Sequence, residues 1–114
     1  TNDLQKTVEF YRGLGFEVIM QTYNEKAGEK VAFLQIKNYC IETFENGQAA
    51  MSDGAYQHVA LDVEDIESIY QKICNEKYTV ITDGIEELPF WENGVKFFMI
   101  KGPNEERIEF CQKL

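Results

Sequence analysis

The sequence predicts an α+β fold made of two copies of one small βαβββ module. Three observations carry this. The chain nearly repeats itself: residues 3–19 align without a gap on residues 65–81 at a shift of 62. Residues 31–36 match 95–100 at a shift of 64, and 39–42 match 106–109 at a shift of 67. In each copy an aspartate is followed by apolar residues at helical spacing, and then by short segments that alternate like strands. Repetition of this kind marks a supersecondary unit that cannot bury its apolar face alone.

The elements follow in order. Asp3 is a good N-cap, and Leu4, Val8 and Tyr11 lie one helical face apart. Gly13-Leu14-Gly15 stops this helix, with Gly15 free to take a left-handed turn. Residues 17–23 read as a strand, and 24–28 as a polar turn. Residues 30–36 and 39–44 read as two further strands joined at Lys37-Asn38. The second copy opens with a strand over 57–63 and a helix from Asp65, with Ile66, Ile69, Tyr70, Ile73 and Cys74 on one face. Lys77 stands where the first copy has Gly15, so this stop needs a non-glycine left-handed residue at a cost of about 1 kcal/mol. A strand over 78–82 comes next, then a long connection over 83–94 carrying Leu88-Pro89-Phe90-Trp91. A strand over 95–100, the turn Lys101-Gly102-Pro103-Asn104 and a last strand over 106–112 complete the copy. The second copy therefore reads βαβββ. The first reads only αβββ, its opening strand being absent from this chain. One domain over 1–114 is expected, as module one (1–45), a linker (46–55) and module two (56–114).

Composition bounds the function. The net charge is −9, from 20 acids and 11 bases, which argues against nucleic acid or an anionic membrane as partner. No apolar run approaches the ~20 residues of a membrane span, and no signal peptide is visible. Cys40, Cys74 and Cys111 form no CxxC pair and leave an odd thiol. They read as reduced core or site-lining residues of a cytoplasmic protein.

Strand alternation sorts the polar residues. His58, the sole histidine, shares a face with Ala60 and Asp62, opposite Val59, Leu61 and Val63. Glu109 shares a face with Arg107 and Cys111, opposite Ile108 and Phe110. Glu42 is the repeat mate of Glu109 and shares a face with Cys40 and Phe44. All three lie away from the presumed helix layer. If the sheet curves, that face is a cup in which one imidazole and two carboxylates suit a divalent ion. The plainer account makes both glutamates exposed strand acids and Cys40 and Cys111 small buried apolar groups. Phe90, Trp91, Phe97 and Phe98 offer an apolar substrate wall or ordinary packing. Arg107 offers a partner for an anionic substrate group or simple charge balance.

Three blocks resemble one family in the right order. Asp3-Leu4-Gln5-Lys6-Thr7-Val8-Glu9-Phe10-Tyr11, followed by Leu14-Gly15-Phe16, resembles the opening helix of the vicinal oxygen chelate superfamily. Gln57-His58-Val59-Ala60-Leu61-Asp62-Val63 resembles the strand that opens its second module. The run from Gly102 to Phe110 resembles its closing turn and strand. The resemblance covers almost the whole chain. It implies a curved mixed sheet with helices on the convex face, and a homodimer. It also implies a divalent metal (Zn, Ni, Mn or Fe) held by His58, Glu109 and Glu42. The first-module histidine of the family would lie upstream of Thr1.

The function most in keeping with the resemblance is a glyoxalase-I-like lyase, similar to lactoylglutathione lyase. A metal-bound carboxylate, Glu109 or Glu42, would move a proton between adjacent carbons of a 2-oxoaldehyde–thiol hemithioacetal. Phe90, Trp91, Phe97 and Arg107 would meet the substrate. The alternatives are a metal-free small-molecule binder similar to bleomycin resistance proteins, and a dioxygenase or thiol transferase of the same superfamily.

Overall fold

The computed structural model describes residues 1–114. The chain divides into two compact units, Thr1–Met51 and Ser52–Leu114. Unit one holds α1 (Leu4–Gly13), β1 (Glu17–Asn24), β2 (Glu29–Ile36) and β3 (Tyr39–Glu45). Unit two holds β4 (His58–Asp62), α2 (Ile66–Asn75), β5 (Thr79–Val80), β6 (Glu86–Leu88), β7 (Val95–Lys101) and β8 (Arg107–Lys113).

In unit one the sheet is antiparallel in the order β1-β2-β3. Asp3 caps α1 by accepting from Lys6 N at 3.0 Å. Glu45, from the end of β3, accepts from Leu4 N at 2.7 Å and from Lys30 Nζ at 3.0 Å. The Leu4 amide and then Lys30 hold the Glu45 carboxyl below its ordinary value. α1 buries Leu4, Thr7, Val8 and Tyr11, and the sheet buries Ala32, Leu34 and Thr43.

In unit two the order is β4-β8-β7-β5, with β6 also pairing β7. β4 runs parallel to β8, and the remaining pairs are antiparallel. Asp65 repeats the cap, accepting from Ser68 N at 3.0 Å. The core is Ile66 and Ile73 from α2 with Phe98, Ile100, Ile108 and Phe110 from the sheet. Both helix stops take the left-handed turn, Gly15 at φ 101° and Lys77 at φ 61°. The copies also leave their first connection alike. Thr1 N donates to Phe44 O at 2.7 Å, as Val63 N donates to Cys111 O at 2.8 Å.

Three expectations are corrected. Strand 78–82 shrinks to Thr79–Val80, and the connection over 83–94 contains β6. The ladder breaks because Thr82 turns inward: its Oγ1 accepts from Met99 N at 3.2 Å and donates to Gly84 O at 2.9 Å. Second, the shift of 64 between the third segments is not the register of the sheets. Phe33 pairs with Glu42 and Met99 with Glu109, which makes the true shift 66. Third, Cys40 and Cys74 are exposed, and Cys111 alone of the cysteines is buried.

The closing turn explains its glycine. Glu106 folds back so that its carboxylate accepts from Asn104 N at 2.7 Å. A Cβ on Gly102 would overlap that carboxyl group. Gly102→Ala is therefore expected to cost only about 0.5–1.5 kcal/mol, the worth of an ordinary hydrogen bond, because the carboxylate it displaces is the end of a flexible side chain. Urea denaturation checks it: in a Glu106→Ala background the same change should cost almost nothing further. An undiminished cost there would assign the effect to the backbone.

Candidate functional site

Strands β4 and β8 assemble the site. Their parallel register sets His58 beside Arg107 and Ala60 beside Glu109. His58 Nε2 lies 3.3 Å from Glu109 Oε2, with the two side chains 33% and 18% exposed. The other ring nitrogen, Nδ1, is 2.9 Å from Gln57 Oε1. Arg107 makes a two-pronged contact with Asp53, Nε to Oδ1 at 3.0 Å and Nη2 to Oδ2 at 2.9 Å. This fork ties the segment before His58 to β8, so Arg107 has a partner within the protein.

The ladder adds neighbours on the same face. Met99 lies opposite Glu109, and Phe97 opposite Cys111. Burial, then Glu109 and Asp62, push the Cys111 thiol above its ordinary value. It is therefore a protonated small packing group beneath the face. Farther along β8, Lys113 Nζ stands 5.3 Å above the Trp91 ring and 3.7 Å from Asp62 Oδ2. Phe90 and Trp91 are 54% and 62% exposed, and Trp91 sits at φ 58°. A bulky residue in that region carries backbone strain of roughly 1–3 kcal/mol. Beside this loop lies an open hollow of about 310 Å³ lined by Leu88, Pro89, Gly94, Val95 and Leu114.

Glu42 belongs to unit one. It is exposed on β3, with Phe33 opposite, on the face that Leu34 and Thr43 leave. A groove of about 630 Å³ in that unit lies along α1, lined by Asp3, Arg12, Gln21, Lys30 and Glu45 among others, and contains none of the predicted site residues.

His58 and Glu109 are thus brought together, while Glu42 is not part of any such cluster. No group of three or more His, Cys, Asp or Glu side chains is arranged to hold a metal ion. The pair itself fits a divalent ion in chemistry and spacing. Metal–nitrogen and metal–oxygen bonds of about 2.0–2.2 Å put two neighbouring ligands of a tetrahedral ion roughly 3.3–3.5 Å apart. Unit two thus brings two candidate ligands together. Sequence reasoning missed Gln57, Asp53 and Lys113. Asp53 was read as linker, and Gln57 carried no signal beyond adjoining the sole histidine.

Residues 1–110 match the family model described as Glyoxalase/Bleomycin resistance protein/Dioxygenase superfamily. The chain belongs to this superfamily. Solved structures of the glyoxalase fold superpose on it over nearly its full length. A glyoxalase family protein from Enterococcus faecalis is 22% identical, with a TM-score of 0.78 over 96% of this chain and 88% of that one. The fosfomycin resistance protein FosX from Listeria monocytogenes, complexed with Mn(II) and sulfate, is 14% identical, with a TM-score of 0.76 over 100% and 86%. A glyoxalase I mutant from Zea mays is 18% identical, with a TM-score of 0.79 over 99% of this chain and 42% of that one. These likenesses establish the glyoxalase fold. Among curated proteins, the uncharacterized protein YwbC of Bacillus subtilis is 37% identical over 62 residues, 54% of this chain. The chain spans about half the length of that relative, 47%. No helix is long and apolar enough to cross a membrane.

Proposed function

We propose that this glyoxalase-superfamily chain serves a metal-dependent lyase that isomerises the hemithioacetal of a 2-oxoaldehyde and a small thiol. The carrying observation is the approach of His58 Nε2 and Glu109 Oε2 to 3.3 Å across β4 and β8. His58 and Glu109, both in unit two, would hold a divalent ion. When bound, the ion supplies Lewis-acid stabilisation of negative charge on substrate oxygens. The Mn(II) complex of FosX supports a divalent ion in this fold.

The chain's own residues do the rest. The Glu109 carboxylate takes the proton from the hydroxyl-bearing carbon and returns it to the neighbouring one, as a general base and then acid. Met99, opposite Glu109, and Phe97 give that face an apolar floor. Trp91 and Phe90 supply a wall that sheds water from the thiol's substituent. Arg107, held by Asp53, orients the strand end that carries His58. The protein acts on this reading as a cytoplasmic homodimer.

The test supplies Ni, Zn, Mn or Fe(II) to the protein and follows thioester formation from methylglyoxal with glutathione or bacillithiol. Turnover with at least one pair is expected. His58→Ala should lower bound metal by at least about 10–100-fold, the loss already seen when only the groups around a ligand change. Elemental analysis checks this, and unchanged metal content would remove His58 from the ligand set. A second reading, a metal-free binder of apolar molecules, is favoured by the exposed Phe90–Trp91 pair. No turnover with any metal and thiol, together with tight apolar binding to metal-free protein, would establish it.

A further inference from the structure

We propose that Lys113 selects the charge of the substrate. It receives a carboxylate at the far end of the thiol whose adduct Glu109 would act on. This deepens the lyase reading and rests on it for the reaction, while the carboxylate seat itself stands on its own geometry.

The ladder of β7 on β8 pairs Lys101 with Arg107, Met99 with Glu109, Phe97 with Cys111 and Val95 with Lys113. Alternation puts all eight residues on one face, so three cations share the face of Glu109. Two of them are tied. Lys101 Nζ lies 2.7 Å from Glu105 Oε2, and Arg107 forks onto Asp53 at 3.0 and 2.9 Å. Lys113 differs. Its acidic neighbour, Asp62 Oδ2, is 3.7 Å away, beyond hydrogen-bond length. The ammonium therefore keeps its three N–H donors uncommitted. What holds it is the Trp91 ring, 5.3 Å from Nζ, within range of a cation–π attraction that uses none of those donors. Trp91 itself sits at φ 58°, and backbone strain of this kind gathers at ligand clamps. An ammonium fixed over an indole with its donors free is a seat for a carboxylate. Spacing then describes the ligand. Residues 109 and 113 are four apart on one strand, roughly 13 Å at 3.3 Å per residue, less what the flexible lysine stem makes up. A ligand that meets both ends is extended, anionic at its far end and apolar where it crosses Cys111 and Phe97. The adduct of a short neutral thiol would meet only Glu109.

Trp91 is the sole tryptophan, so its fluorescence reports directly on this seat. Metal-free protein is titrated with 8-(methylthio)octanoate and with 8-(methylthio)octanol, inert thioethers alike but for charge. The acid is expected to bind about 5–10-fold more tightly, between the worth of an exposed ion pair and that of a charged hydrogen bond. Lys113→Gln should abolish the difference. Lys113→Arg should keep it, because a guanidinium also carries charge and stacks on an indole. Equal affinity for the two probes overturns the proposal, as does no response to either, or a preference that survives in Lys113→Gln. With metal supplied, the kcat/KM of the 8-mercaptooctanoate adduct of methylglyoxal, relative to that of the 8-mercaptooctanol adduct, should fall by the same factor in Lys113→Gln. Native protein that shows the charge preference in binding but turns over neither adduct would sink the lyase reading, while the carboxylate seat at Lys113 stands.

Discussion

Glu109→Gln is expected to lower turnover by about 10²–10⁴-fold, the usual worth of a general base. The substitution keeps shape and one oxygen, and removes the proton acceptor and a negative charge. Glu109 is only 18% exposed and lies within reach of His58 Nε2, so water replaces it poorly. The fold should be unaffected, because the buried strength of β8 comes from Ile108 and Phe110 on its other face. Initial rates of thioester formation, measured on protein matched for metal content, check the claim. A variant within a factor of three of the native rate would deny Glu109 the role of base and leave Glu42 as the candidate.

The second large effect is on stability. Phe98→Ala should cost about 3–5 kcal/mol. Phe98 is 0% exposed. Its ring stands edge-on to Tyr70 and stacked on Phe110, with both centroids 5.1 Å away. It therefore joins α2, β7 and β8, and a void there faces a helix on one side and a paired strand on the other. Neither closes the gap easily. Urea denaturation measures the loss, and a change under about 1 kcal/mol, ordinary for a surface position, would show that the site collapses around the smaller residue.

Much of this was legible from local chemistry. Asp3 and Asp65 announced their caps, and Lys77 its left-handed turn, because such signals reside in a few adjacent residues. Side-chain alternation placed Glu109 and His58 on one face for the same reason. Register was a different matter. A slip of one residue would have flipped every side chain, but a slip of two keeps each on its proper face. The shift of 64 in place of 66 was therefore invisible to any test of burial, and only the pairing of Phe33 with Glu42 and of Met99 with Glu109 exposes it. The parallel ladder of β4 on β8 is long-range, and with it the 3.3 Å approach at the site. The shortening of β5 was hidden because Thr82 reads as a strand residue, yet its hydroxyl takes the place of a backbone acceptor.

That substitution has a consequence for how the two copies differ in length. In unit one, two steps along β1, from Val18 to Met20, face one step along β2. In unit two, six steps from Val80 to Glu86 face three along β7. The same irregularity holds one surplus residue in the first copy and three in the second, and in both it falls on a strand bound along one side only. Growth there interrupts a single ladder and leaves the β7–β8 ladder, which carries Glu109, unbroken. The outer strand thus acts as the expansion joint of the module, where one copy takes up extra residues over Ile81–Ile85 without moving the carboxylate on β8.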